Sequence, residues 1–398
     1  MHNVVIVGLG PSAVPAVQAL LPQLPSTHSI VAISSTDGYW PIAGLRAAVV
    51  PGWEDKVVAP LTNIFPCDSR HVLIRGTTVT ELNEHSVVLD KPHPEFGNEV
   101  EFDYAILATG SSYPFPARPH PNTTLTETKA SLQALQSSLS SAKSVLVVGG
   151  GPVGIEYAAE VASHYNGKEG RARKEVTVVH SHDKFMYEDG WKDKFNNSLL
   201  KQVKDLGVEV VLGQRVNGLE GLETGPIEGG TREFKLSNGE VVRADYIMIG
   251  TGNNPNTSFI RTLDPSLLNS RKQVLVKPTF QLAPPGSSTE GKGKYDHIFA
   301  IGDITDVPET KMVAHASKHG PIAAANLLAL LASSSPGSKP SSSLPLKNYG
   351  AAGQLMMISL GPSGGAGQVF GWTLGAWMTG MAKSRTLFLS NFKALYGV

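Results

Sequence analysis

Four runs of consecutive apolar residues punctuate the chain: Val4–Val7, Ile30–Ile33, Val145–Val148 and Tyr246–Ile249. Each is four residues long and bounded by glycine or polar residues. That pattern predicts strands buried on both faces, as in a parallel sheet, rather than helices. Two runs lead into apolar residues at helical spacing, one from Ala13 to about Leu21 and one through Ile155, Ala158, Ala159 and Ala162. Glu175–Val179, Val208–Leu212 and His297–Ile301 read as further strands, and Val100–Leu107 as a strand pair. Helices are expected over Ser131–Leu139, Trp191–Leu206 and Met312–Leu331, with small hairpins at Val72–Leu89 and around Asn238-Gly239. Strand–helix–strand alternation of this kind predicts an α/β fold.

The turns after the first and third runs are rich in glycine. Gly8, Gly10, Pro11, Ser12 and Ala13 give G-x-G-x-x-A, and Gly149, Gly151 and Gly154 give G-x-G-x-x-G with Pro152 in the first helical turn. Such a turn lets a pyrophosphate approach the backbone, and the free N–H groups of the following helix face its charge. Two copies predict two Rossmann-like dinucleotide-binding domains and two nucleotides, one resident and one exchanged. The strand that completes the first fold comes only at His297–Ile301, followed by Gly302-Asp303, so the second fold is inserted in the first. Residues 1–124 and 253–332 are assigned to the first fold and 125–252 to the second. A Ser/Pro linker follows at 333–345, and a small C-terminal α+β unit at 346–398.

Composition refines this picture. With 398 residues, 41% hydrophobic and 17% charged, the chain holds two or three folded domains. Its single cysteine, Cys67, excludes an internal disulfide and a C-x-x-C redox pair, and fits a reduced, cytoplasmic setting. Net charge is zero, and no basic run is present, which argues against nucleic-acid binding. From Thr310 to Val398, however, there is no acid, and Tyr349–Ala382 carries no charge at all. Gly, Pro and Ser break that tract too often for a spanning helix. Strands packed on the other domains, an apolar substrate slot or a peripheral membrane contact would each account for it. The first strand starts too early for a signal peptide, and His2 stands where myristoylation needs glycine.

Individual residues add candidate chemistry. Ser34 ends the second strand, where an acid ordinarily holds a ribose hydroxyl. Arg46, a lone cation among small apolar residues, needs a partner, either a pyrophosphate or a neighbouring acid. Thr109-Gly110 makes another glycine turn after an apolar strand. His180 follows Glu175–Val179 where an acid would repel a 2′-phosphate, so NADPH is an expected donor, with NADH alongside it. Glu156, in the first turn of its helix, is expected to reach the place where the two cofactors meet. His315 and His319 are four apart on one helix, but no third ligand accompanies them, and no metal is expected.

These pieces together carry a family likeness. Val-Val-Ile-Val-Gly-Leu-Gly, Leu-Arg46-Ala, Leu-Ala-Thr109-Gly110, Gly-Gly-Gly-Pro-Val-Gly-Ile-Glu156, Ala-Ile-Gly-Asp303 and Lys383-Ser-Arg resemble the apoptosis-inducing-factor-like flavoprotein family. The likeness lies with the branch of the mitochondrion-associated inducer of death or ferroptosis suppressor protein, and more distantly with single-subunit NADH:quinone reductases. The resemblance implies FAD in the first fold, NAD(P)H in the second, and a quinone as electron acceptor. It places Arg46 and the backbone of Val79 on the phosphate and adenine, Asp303 on the ribityl chain, and Glu156 near the flavin. It also brings Lys383 to the flavin or quinone from the C-terminal domain, and suggests contact with a mitochondrial or lipid-droplet surface. Alternatives are a ferredoxin- or rubredoxin-type reductase, a metabolite-tailoring flavoprotein, and a non-enzymatic death effector that binds nucleic acid.

Overall fold

The computed structural model describes residues 2–167, 171–286, 293–334 and 345–398. Most of the predicted 333–345 linker, residues 335–344, lies outside the described residues, as does 287–292 of the polar loop before His297.

The first sheet is wholly parallel, in the order Ile298–Ala300, Tyr104–Leu107, His2–Val7, His28–Ser34, Val72–Arg75. Its central strand is apolar on both faces because both faces are covered. Val4 and Ile6 pack under the helices Ala13–Leu20 and Val313–Ser334, while Val5 and Val7 pack against the meander Val79–Leu82, Ser86–His93, Gly97–Glu101. The predicted Val100–Leu107 pair is thereby divided: its first strand joins the meander and its second the parallel sheet.

The second sheet runs Glu209–Val211, Glu175–Val179, Ser144–Val148, Tyr246–Ile249 in parallel, with Gly225–Pro226 antiparallel at its edge. Helix Pro152–Tyr165 follows its central strand. The helix before it runs over Leu125–Ser141, longer than predicted, because Thr124 and Glu127 form a reciprocal capping box that starts it at Leu125 rather than Ser131. Where the chain passes between the two folds, Ser111–Ser112 pairs antiparallel with Asn254–Pro255. The second domain is inserted in the first through this short ladder.

The charge-free tract forms an antiparallel sheet, Leu355–Leu360, Gly364–Val369, Trp372–Leu374, and helix Ala376–Thr379; a wider turn Gly380–Ser384 and helix Leu389–Tyr396 carry the chain on past it. This last helix returns to the first fold. Trp40 Nε1 donates to Leu387 O (2.7 Å), and Tyr396 Oη donates to Leu9 O (3.0 Å) in the first glycine turn. No helix among the described residues is long and apolar enough to cross a membrane.

Candidate dinucleotide and electron-transfer site

A cleft of about 1140 Å³ opens along the carboxyl ends of the first sheet. Gly8, Gly10, Pro11, Ser12, Ser34, Val79, Thr109, Gly110 and Asp303 all line it. The local reason is steric. Gly8 holds a left-handed φ of +91° and its Cβ would strike Ala108 O, whereas a Cβ on Gly10 would meet nothing within 4 Å and would simply fill the cleft. A cradle with bare backbone at the start of a buried helix fits a pyrophosphate. Asp303 at the far end accepts from Ser111 Oγ (2.8 Å) and faces Arg118 at 3.5 Å. Ser34 donates its hydroxyl to Thr36 O (2.7 Å), leaving Oγ as an acceptor for a ribose hydroxyl. The cleft thus fits FAD.

Two expected cleft residues lie elsewhere. Ala13 is the first residue of its helix and wholly buried, so it packs the helix rather than touching a phosphate. Arg46 is 3% exposed and turned away from the cleft. Its Nε and Nη2 grip Glu160 at 2.6–2.9 Å, Nη1 donates to Ser384 O and Nη2 to Gly361 O. With those donors committed to buried acceptors, the pyrophosphate assignment is withdrawn and the acid is the partner. Burial raises the Glu160 carboxyl, and the guanidinium opposes that rise.

In the second fold, Gly149 and Gly151 make the turn, and Gly154 lies so close to it that a Cβ would sit 1.8 Å from Gly149 O. His180 does not project toward an approaching phosphate. It is buried beneath the turn, where its Nδ1 accepts from Gly150 N (3.1 Å), and burial together with His182 lowers its pKa. It is a neutral prop for the loop, and the expected phosphate-facing role is corrected.

Glu156 and Lys383 come together. Lys383 Nζ donates to Glu156 Oε1 at 2.6 Å and to Met357 O at 2.7 Å, while Ser359 gives the same carboxylate oxygen its backbone N–H (2.8 Å) and its hydroxyl (2.9 Å). The pair is about one-tenth exposed and lies under the C-terminal sheet rather than in the large cleft.

Some functional side chains carry no sequence signal. Arg118 sits in a Pro-rich loop, and Lys311 looks like any lysine before a helix; both line the cleft. Glu309 accepts from His319 Nε2 (2.8 Å), Tyr349 Oη (2.7 Å) and Ala352 N (3.1 Å), and His319 Nδ1 accepts from Gly302 N (3.0 Å). The two helical histidines therefore diverge: His319 braces the turn before Asp303, and His315 binds Thr310 O.

Against this geometry, residues 2–320 match the family described as pyridine nucleotide-disulphide oxidoreductase. The chain belongs to the pyridine nucleotide-disulphide oxidoreductase family. Within it, the chain is 30% identical over 381 residues to apoptosis-inducing factor homolog B of Dictyostelium discoideum, covering 93% of this chain and 91% of that one. It is 29% identical over 361 residues to ferroptosis suppressor protein 1 of Mus musculus, covering 88% and 84%. It is 28% identical over 358 residues to FAD-dependent oxidoreductase FVFD30 of Flammulina velutipes, covering 86% and 96%. The NAD-dependent persulfide reductase of A. fulgidus superposes with a TM-score of 0.65 at 17% identity, over 92% of this chain and 64% of that longer one. That likeness is one of fold. Membership makes the protein an NAD(P)H flavoprotein oxidoreductase of the apoptosis-inducing-factor-like group, and its large cleft fits FAD. Because Cys67 is the sole cysteine, this pyridine nucleotide-disulphide oxidoreductase has no internal dithiol relay.

Proposed function

We propose that the protein takes hydride from NADPH or NADH and passes two electrons to a quinone-type acceptor. The observation that carries the acceptor class is the Glu156–Lys383 pair beneath an apolar, uncharged surface. A quinone is uncharged and apolar, and each oxygen gains a proton on reduction. Lys383 would give one of them, with Glu156 orienting the ammonium and holding its charge. The hydride taken from the nucleotide accounts for the other hydrogen, so a single external proton completes the quinol.

When bound, FAD supplies the hydride acceptor and two-electron store. The chain's own residues do the rest. Gly8 and Gly10 admit the pyrophosphate, Ser34 and the Val79 backbone hold the adenosine half, and Asp303 holds the ribityl hydroxyls. The glycine turn propped by His180 receives the nicotinamide nucleotide. No acid follows Val179 in His180-Ser181-His182 to repel a 2′-phosphate, which supports use of either nucleotide.

The exposed Phe370, Trp372 and Trp377, with Met378 and Met381, support a peripheral contact with a lipid surface, from which an apolar acceptor would enter. The protein would then work in the cytoplasm, at a membrane face.

The test is spectroscopic. Purified protein should be yellow, anaerobic NADPH should bleach its band near about 450 nm, and a short-chain quinone should restore it. Absence of flavin would overturn the reading. Bleaching without restoration would overturn the quinone alone.

A further inference from the structure

The large cleft has four basic residues along its walls: Arg118, Arg261, Lys272 and Lys311. Arg261 and Lys272 are exposed, and Arg118 is drawn to Asp303 at 3.5 Å. Lys311 differs from all three. It is half-buried, its Nζ donates to Val307 O (2.8 Å), and it has no carboxylate within 4.0 Å among the described residues. The acids around it are already engaged: Glu309 with His319, Tyr349 and Ala352, Asp303 with Ser111 and Arg118, Asp306 with Val276 N. Burial lowers the pKa of the Lys311 ammonium, against the pull of those acids. An ammonium with spare N–H donors and no direct ion pair is free to face an anion in the cleft.

Its position says which part of the nucleotide it meets. A dinucleotide lies across the carboxyl ends of a doubly wound sheet, one half on each side of the central strand. Ser34 and Val79 mark the adenosine side, on and beyond His28–Ser34. Asp303, Lys311, Met312 and Ala316 line the opposite end, past Ile298–Ala300. The redox ring belongs there.

Resting on the FAD assignment above, we propose that Lys311 faces the N1–C2=O edge of the flavin and is the counter-charge for its reduced form. Hydride brings two electrons and one proton to N5, leaving one negative charge on the N1–C2=O side. Lys311 neutralises that charge without giving up its own proton. Lys383 then serves the acceptor, and Lys311 sets how readily the flavin takes electrons.

Sulfite reads this charge without turnover. Its sulfur lone pair forms a bond to N5, and an electron pair moves onto N1–C2=O, leaving the same negative charge at that edge. The holoprotein and its K311M, K311Q and K311R variants would be titrated with sulfite, and FAD affinity followed by flavin fluorescence on reconstitution. For K311M and K311Q we expect FAD affinity within a few-fold of wild type and sulfite affinity down by about tenfold or more. The flavin midpoint potential should fall by at least about 30 mV, the two-electron equivalent of tenfold. K311R should keep both values close to wild type. If K311M and K311Q bind FAD and sulfite as wild type does, the proposal fails. It fails too if K311R loses as much as K311M, since shape rather than charge would then matter. Loss of FAD from K311M and K311Q but not K311R would make Lys311 a holder of the cofactor and overturn its tuning role. A wild-type protein without flavin would instead overturn the parent assignment.

Discussion

Lys383 Nζ lies 2.6 Å from Glu156 Oε1 across 227 positions of chain, joining the inserted nucleotide domain to the C-terminal sheet. Under the proposed function this contact supplies a proton to the acceptor, so its variants should separate two steps of the reaction. Lys383→Met and Glu156→Ala should leave flavin reduction by NADPH within a few-fold of wild type. Re-oxidation by a quinone should slow by about 100-fold, the scale of a lost proton donor. Stopped-flow absorbance of the two half-reactions decides this; equal slowing of both would sink the assignment.

Arg46 and Glu160 are 3% and 4% exposed. Removing one partner leaves a buried charge alone, so Arg46→Ala should cost about 3–5 kcal/mol in denaturant unfolding. Arg46→Met with Glu160→Leu should recover most of it. A single substitution that costs less than about 1 kcal/mol would contradict the burial of the pair.

Glu309 has its carboxyl held down at about 2, where hydrogen bonds from His319, Tyr349 and Ala352 outweigh burial. A depressed folded-state pKa stabilises above the unfolded value and loses that contribution as pH falls through the folded one. Stability should therefore decline between about pH 4.5 and 2, by about 3 kcal/mol in total. Thermal unfolding at stepped pH should show this slope, and Glu309→Gln should flatten it.

Gly154→Ala would push a methyl into Gly149 O. The nicotinamide turn should be displaced while the FAD cleft is untouched. We expect the variant to purify yellow with its KM for NADPH raised at least about tenfold. Loss of flavin from this variant would mean that the two folds are not independent.

Trp372→Ser with Trp377→Ser removes two side chains that are 78% and 72% exposed. Co-sedimentation with anionic vesicles should fall to the level of a vesicle-free control, with NADPH oxidation by a soluble quinone unchanged. Undiminished sedimentation would exclude this face as the lipid contact.

Much of the fold could be read in the sequence because four-residue apolar runs and glycine turns report local physics. Val145–Val148 and Gly154 need no distant partner to be understood. Arg46 marks where that reading stops. Its burial was legible, but two explanations stood open, and the choice depended on Glu160, 114 residues away. His180 failed similarly: its position at a strand end was visible, its inward rotation was not, because Gly150 offers its N–H only in three dimensions. Lys311 gave no signal, since the commitment of its neighbouring acids to other groups is a tertiary fact. The charge-free tract announced an unusual surface but not that its first strand would clamp Glu156 through Ser359.

Glu156 and Glu160 are one turn apart on helix Pro152–Tyr165, and each is bound to a different neighbour: Lys383 of the C-terminal unit and Arg46 of the first fold. Four residues of α-helix span about 6 Å. This helix of the second fold is therefore also a ruler, fixing the spacing between the first fold and the C-terminal unit. A substitution that tilts this helix would detune a distance between two domains to which the helix itself does not belong.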